Sequence, residues 1–173
     1  FCLTSTVIQD NLGVCPLTGG SISGKIYTEF GSAVQDAEVR IENLDGEMMM
    51  TPSNGNYAFN LTGSTNYTVV PSKNNNYLNG VSTFDLVQIT KHILGKELFA
   101  SPYQYIAADV NASGEVSTFD IIQLRKLILN LSTELPNENT SWRFVDASYE
   151  FSTDNPAAEV FPEFIQVNNL SGA

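Results

Sequence analysis

Basic residues are scarce in this chain of 173: 8 Lys and Arg stand against 19 Asp and Glu, a net charge of -11. That imbalance repels nucleic acid and anionic lipid but suits divalent cations, so nucleic-acid binding is excluded from the reading. Long apolar runs are missing too. No stretch approaches the roughly 18 consecutive apolar residues that a membrane helix needs, and Phe1-Cys2-Leu3 has neither the basic start nor the apolar core of a signal peptide. The chain therefore reads as cut from something longer, either a fragment or a mature subunit.

Cysteine and histidine are almost absent. Cys2 and Cys15 are the only thiols, and no His or second Cys stands at zinc spacing from either. They can pair with each other, or Cys2 can pair with a cysteine upstream of Phe1. His92 is the only histidine, on a helical stretch beside Lys91, where a surface or packing role outweighs catalysis. No Gly-rich phosphate loop follows a strand, and no His-based metal motif exists. An enzyme is the class with least support.

What the chain does contain is enough apolar sequence for packed cores, 42% hydrophobic with 10% aromatic. Its polar residues are mostly Asn, Ser and Thr, and Asn-X-Ser/Thr recurs at Asn60, Asn66, Asn111, Asn130, Asn139 and Asn169. These are candidate glycosylation sites, as expected of a secreted surface, and chance in an Asn- and Ser-rich chain is the alternative.

Residues 3–9 read as one strand rich in β-branched residues. A lone strand has no sheet, so it must pair with this chain, a neighbouring module or another copy. From 21 to 71 short strands alternate with turns. Ile22-Ser23-Gly24-Lys25-Ile26-Tyr27 and Ala37-Glu38-Val39-Arg40-Ile41 alternate, and Leu44-Asp45-Gly46-Glu47 carries an Asp-Gly hairpin signal. Ser53-Asn54-Gly55 is a turn, and Tyr57-Ala58-Phe59-Asn60-Leu61 and Tyr67-Thr68-Val69-Val70-Pro71 complete a set that favours a small antiparallel β-sandwich.

This stretch resembles the carboxypeptidase-regulatory-like and collagen-adhesin B-type modules of bacterial surface proteins. The carrying residues are Ser23-Gly24-Lys25-Ile26-Tyr27, Val34-Gln35-Asp36-Ala37-Glu38-Val39, Ser53-Asn54-Gly55-Asn56-Tyr57-Ala58-Phe59 and Tyr67-Thr68-Val69. The resemblance implies a stalk or spacer and no chemistry. Upstream, residues 2–11 are similar to the last strand of a hyalin-repeat or other immunoglobulin-like module.

After Pro71 the period becomes helical, and Val81-Ser82-Thr83-Phe84-Asp85 recurs identically as Val116-Ser117-Thr118-Phe119-Asp120. An amphipathic helix is expected after each copy, with Ser82 and Ser117 as caps. In residues 109–120, Asp109, Asn111 and Ser113 stand at loop positions 1, 3 and 5, Gly114 at 6 and Asp120 at 12. With the Glu115 carbonyl and Ser117 acting through water, that spacing supplies the hard oxygens that calcium prefers. The bland alternative is an Asx-rich turn capping a helix. The upstream copy is poorer: Asn74, Asn76, Leu78, Gly80, Ser82 and Asp85 include one carboxylate. Weaker occupancy is expected there unless a carboxylate from elsewhere, such as Asp146, joins.

Residues 74–131 resemble a type I dockerin domain, whose two calcium loops each close on Asp at position 12. In cellulosomal dockerins the helices dock a cohesin, and positions 10 and 11 help select it. Those positions are Thr83-Phe84 and Thr118-Phe119 here. The aromatics depart from the small or basic residues usual in the family, and packing of Phe84 and Phe119 inside the module is the expectation. Ser141-Trp142-Arg143-Phe144-Val145 extends a resemblance to segments near the end of large secreted bacterial proteins, with Trp142 expected as a core anchor between modules.

The expected organisation is mixed α and β. A strand and linker at 1–19 is the end of an upstream module or a donor strand, a regulatory-like sandwich follows at 20–72, a dockerin-like calcium domain at 73–134 and a β-rich extension at 135–173. The expected function is a non-catalytic, secreted structural or adhesive module of the cell surface. Calcium would stiffen it, and strand donation to other copies could build a filament. The alternative is a binding module whose helices dock a cohesin-like or surface receptor.

Overall fold

A computed structural model describes residues 5–8, 19–42, 44–62 and 66–168. Among the described residues, three α-helices and eight strands form a mixed structure, as the change of period along the sequence predicts. It divides into two compact units. One comprises Asn74–Trp142 with Glu150–Val160, and the other Ser5–Lys73 with Arg143–Tyr149 and the chain from 161 onward.

The sheet unit has two four-stranded sheets. The first runs β5 (Asn56–Thr62), β2 (Gly19–Tyr27), β1 (Ser5–Ile8), β7 (Arg143–Phe144). The second runs β4 (Met48–Met50), β3 (Glu38–Ile41), β6 (Tyr67–Ser72), β8 (Ile165–Val167). Alternation explains the burial: Tyr67, Val69 and Pro71 of β6 are buried while Thr68, Val70 and Ser72 are half-exposed. Ile22 and Ile26 of β2 and Tyr57, Phe59 and Leu61 of β5 are buried likewise. The β3–β4 hairpin turns at Asp45-Gly46, with Gly46 at φ +87°.

Gly55 fixes the other turn. At φ +74° its backbone lies so close to β2 that a Cβ would fall 2.3 Å from the Ile26 carbonyl oxygen, and Ile26 N–H donates to Gly55 O at 2.8 Å. Thr51 is buried without penalty, because its Oγ1 accepts Ala37 N–H at 3.0 Å and donates to Val34 O at 2.7 Å.

The strand at 5–8 finds its partners in its own chain. β1 runs antiparallel to β2 (Val7 opposite Tyr27) and parallel to β7 (Ser5 opposite Arg143). Both of its edges are therefore occupied. Two expected features lie outside the described residues: the thiols Cys2 and Cys15, and the sequon Asn169.

The helical unit holds α1 (Thr83–Ile93), α2 (Pro102–Ala108) and α3 (Thr118–Ile128). Ser82 and Ser117 cap α1 and α3, and Asp85 and Asp120 reach back to the capping residues' backbone N–H groups, completing a capping box at each start. α2 begins on a Ser101 cap with Pro102 in its first turn. Ile89, Ala108, Val110, Leu124 and Leu127 form the core, with Leu86, Ile93, Ile121 and Ile128 packed against it. Each fully buried Ile or Leu contributes about 1.5–3 kcal/mol.

Phe84 and Phe119 correct the expectation that they pack inside. They are 60% and 66% exposed. Each is the second residue of its helix, on the side opposite the buried Ile89 or Leu124, so the helical period turns the ring outward. Trp142 is half-buried. Among the described residues no helix is long and apolar enough to cross a membrane.

Candidate metal centre

The loop 109–120 closes around its first and last residues. Asp109 ends α2 and Asp120 lies in the first turn of α3, and both carboxylates are buried, at 6% and 0% exposure. Asp109 Oδ1 accepts Ser113 N–H at 2.9 Å and Oδ2 accepts Gly114 N–H at 2.8 Å, so the side chain gathers the loop around itself. Asp120 Oδ1 accepts Asn111 N–H at 3.1 Å, and Oδ2 accepts Ser117 N–H at 2.8 Å and Ser117 Oγ–H at 3.1 Å.

Further hydrogen bonds run along the exposed side of the turn. Asn111 Oδ1 accepts Ser113 N–H at 3.1 Å, and Ser113 Oγ donates to the Glu115 carbonyl at 3.1 Å. The backbone folds through left-handed residues at positions 4 and 6, Ala112 at φ +51° and Gly114 at φ +82°. Space around Gly114 is ordinary, so its conformation alone makes glycine the favoured residue.

Three amides from the tail of the same unit hold this loop. Asn139 Nδ2 donates to the carbonyls of Asp109 (3.2 Å) and Val110 (3.0 Å), Asn137 Nδ2 to Asn111 O (2.7 Å), and Asn155 Nδ2 to Gly114 O (2.9 Å). Sequence reasoning misses all three, because they lie 26 to 41 residues from their acceptors in stretches without periodicity.

The electrostatics fit a cation. Burial pushes the Asp109 carboxyl above its ordinary range, and the neighbouring Asp120 charge adds to this, while the Ser113 and Gly114 donors oppose it. A divalent ion would reverse that balance. Asp109 and Asp120, with oxygens from Asn111, Ser113 and the Glu115 carbonyl, are the residues able to hold it, and Ser117 Oγ remains tied to Asp120. Among the described residues no group of three or more His, Cys, Asp and Glu is placed to hold a metal ion, and the second loop brings two carboxylates.

The upstream loop takes another path. Its left-handed residues are Asn76 (φ +51°) and Gly80 (φ +73°), positions 3 and 7 rather than 4 and 6. Asn79 N–H bonds Asn76 O at 2.8 Å and Val81 N–H bonds Leu78 O at 3.1 Å, so the turn closes on backbone carbonyls. Asn74 Oδ1 accepts Ser141 N–H at 3.0 Å. Asn74, Asn76, Leu78, Gly80 and Ser82 are all exposed, and Asp85 alone is buried, bonded to Ser82 N–H at 2.6 Å. The proposed ligands are thus gathered in the second loop and spread in the first. Asp146 belongs to the sheet unit, where its Oδ1 accepts Ser148 N–H at 2.7 Å.

Of the described sequons, Asn60, Asn66 and Asn130 are exposed. Asn111 and Asn139 are half-buried in the second loop and its support, and both amide hydrogens of Asn139 are committed to carbonyls. No family model matches the chain, and neither curated proteins nor solved structures give a match.

Proposed function

We propose that the helical unit is a calcium-stapled, dockerin-like docking module of a secreted, non-catalytic surface protein. The sheets of the second unit serve as the sandwich spacer that residues 20–72 resemble. One observation carries this reading: the 35-residue repeat duplicates an outward helix face, although its two loops differ in path. On α1 that face holds Phe84, Val87, Lys91 and Leu94, and on α3 Phe119, Ile122, Lys126 and Leu129, at the i, i+3, i+7, i+10 spacing of one helix side. The apolar members are exposed in both copies.

Ordinary surface helices place polar residues outward. Two matched exposed apolar rows suit an apolar protein surface as the partner. This exposure favours docking over a purely structural role, in which the same faces would be covered. Strand donation gains no support, since β1 lies between β2 and β7.

Calcium, when bound, would supply the charge that keeps Asp109 and Asp120 together. Asp109, Asn111, Ser113, the Glu115 carbonyl and Asp120 would hold it, tying the end of α2 to the start of α3. The loop would act as a permanent staple rather than a sensor. In the test, a Phe84→Ser/Phe119→Ser chain keeps its helix content by circular dichroism and its calcium response. Collapse of helicity would show that the rings hold the fold, and would contradict a docking face.

A further inference from the structure

The connection 94–101 between the repeats is tied to the chain's only histidine. Phe99 N–H donates to His92 Nδ1 at 3.2 Å. The two rings stack with centroids 4.0 Å apart and planes 6° off parallel, and Tyr105 of α2 closes edge-on against both, at 4.8 Å from His92 and 5.2 Å from Phe99. The backbone folds back beside them, with Gly95 N–H bonded to His92 O and Lys96 N–H to Lys91 O, each at 2.9 Å.

We propose that His92 is a pH-responsive latch, which holds this connection against α1 and α2 while the imidazole is neutral and releases it on protonation. An Nδ1 that accepts a hydrogen bond has its ring proton on Nε2. Protonation places a second N–H on Nδ1, facing the Phe99 N–H donor, and two donors cannot share that bond. Ring stacking tolerates either charge, whereas the Nδ1 contact does not.

The surroundings offer the imidazolium little compensation. Lys91 on α1 and Lys96 on the connection are cationic, and Glu97 already pairs with Lys91 at 2.7 Å. Tyr105 presents its ring edge from α2. α3 packs on α1 through Leu124, Leu127 and Ile128, which carry no charge. From the tail, Asp154 lines the shallow hollow beside Phe99 and Tyr105 and is exposed. In keeping with this geometry, burial lowers the His92 imidazole below its ordinary 6.5. A lowered histidine stabilises the fold fully above the unfolded value and ceases to do so as pH falls through the folded one.

A single histidine makes the test direct: follow its ring proton resonance and the Phe99 amide by NMR while titrating the full chain. The latch requires a midpoint below 6.5 and a Phe99 amide that moves with the same midpoint. His92→Asn keeps an acceptor near the Nδ1 position without titrating, so in that variant the Phe99 amide should stay fixed from about pH 7 to 5. A midpoint at or above 6.5, a Phe99 amide indifferent to the titration, or one that still titrates in His92→Asn would overturn the proposal. The latch stands independently of calcium, and it adjoins the outward face of α1 at Lys91 and Leu94.

Discussion

The two loops share an identical ending, Val-Ser-Thr-Phe-Asp, and reach it by different backbone paths. In both, the terminal Asp completes a capping box and is buried. The difference lies at the first position. Asp109 collects two backbone N–H groups from its own loop, whereas Asn74 accepts a bond from Ser141, far outside it. A carboxylate has lone pairs enough to organise a turn and still face a cation, and a neutral amide offers one oxygen. Local sequence at the helix start sets the cap, while position 1 and the backbone path differ between the loops.

The comparison breaks most sharply at Asp120. Asp120→Ala removes a buried carboxylate and half of the capping box together, so calcium affinity of the second loop should fall by more than about 100-fold, since even an outer partner is worth ~10–100-fold. Calorimetry of the variant measures it. Retention of affinity would place the ion elsewhere. Asn139→Ala, next in size, unties the Asp109 and Val110 carbonyls and should cost about 1–3 kcal/mol in a urea melt.

Asn74→Asp asks the opposite question, by giving the first loop its second carboxylate. Calcium stoichiometry should rise by one if charge is the missing ingredient. If it stays unchanged, the backbone path, turning at positions 3 and 7, is the deeper obstacle. The smallest effect is expected on the outward faces. Phe84→Ser alone should change thermal stability by no more than about 0.5 kcal/mol, the range of an exposed substitution.

Much of the helical unit is legible in the sequence because its signals are short-range. Within each copy the loop, its Ser cap and its position-12 Asp sit within a dozen residues of one another, and period separates helix from strand. Phe84 and Phe119 mislead because an aromatic in an apolar row suggests core, while the helical angle from Ile89 and Leu124 points both outward. α2 leaves no such trace: seven residues opening on Pro102 are too short to show a period. β8 and the amides of Asn137, Asn139 and Asn155 are invisible for a different reason. Their partners lie far along the chain, and Asn in a loop looks the same whether or not it holds another loop in place.

Calcium titration of the full chain by calorimetry bears most directly on the difference between the loops. One tight site that disappears in Asp109→Asn, with any second site far weaker and surviving that change, is the predicted result. No binding heat, or two equivalent sites, would contradict it.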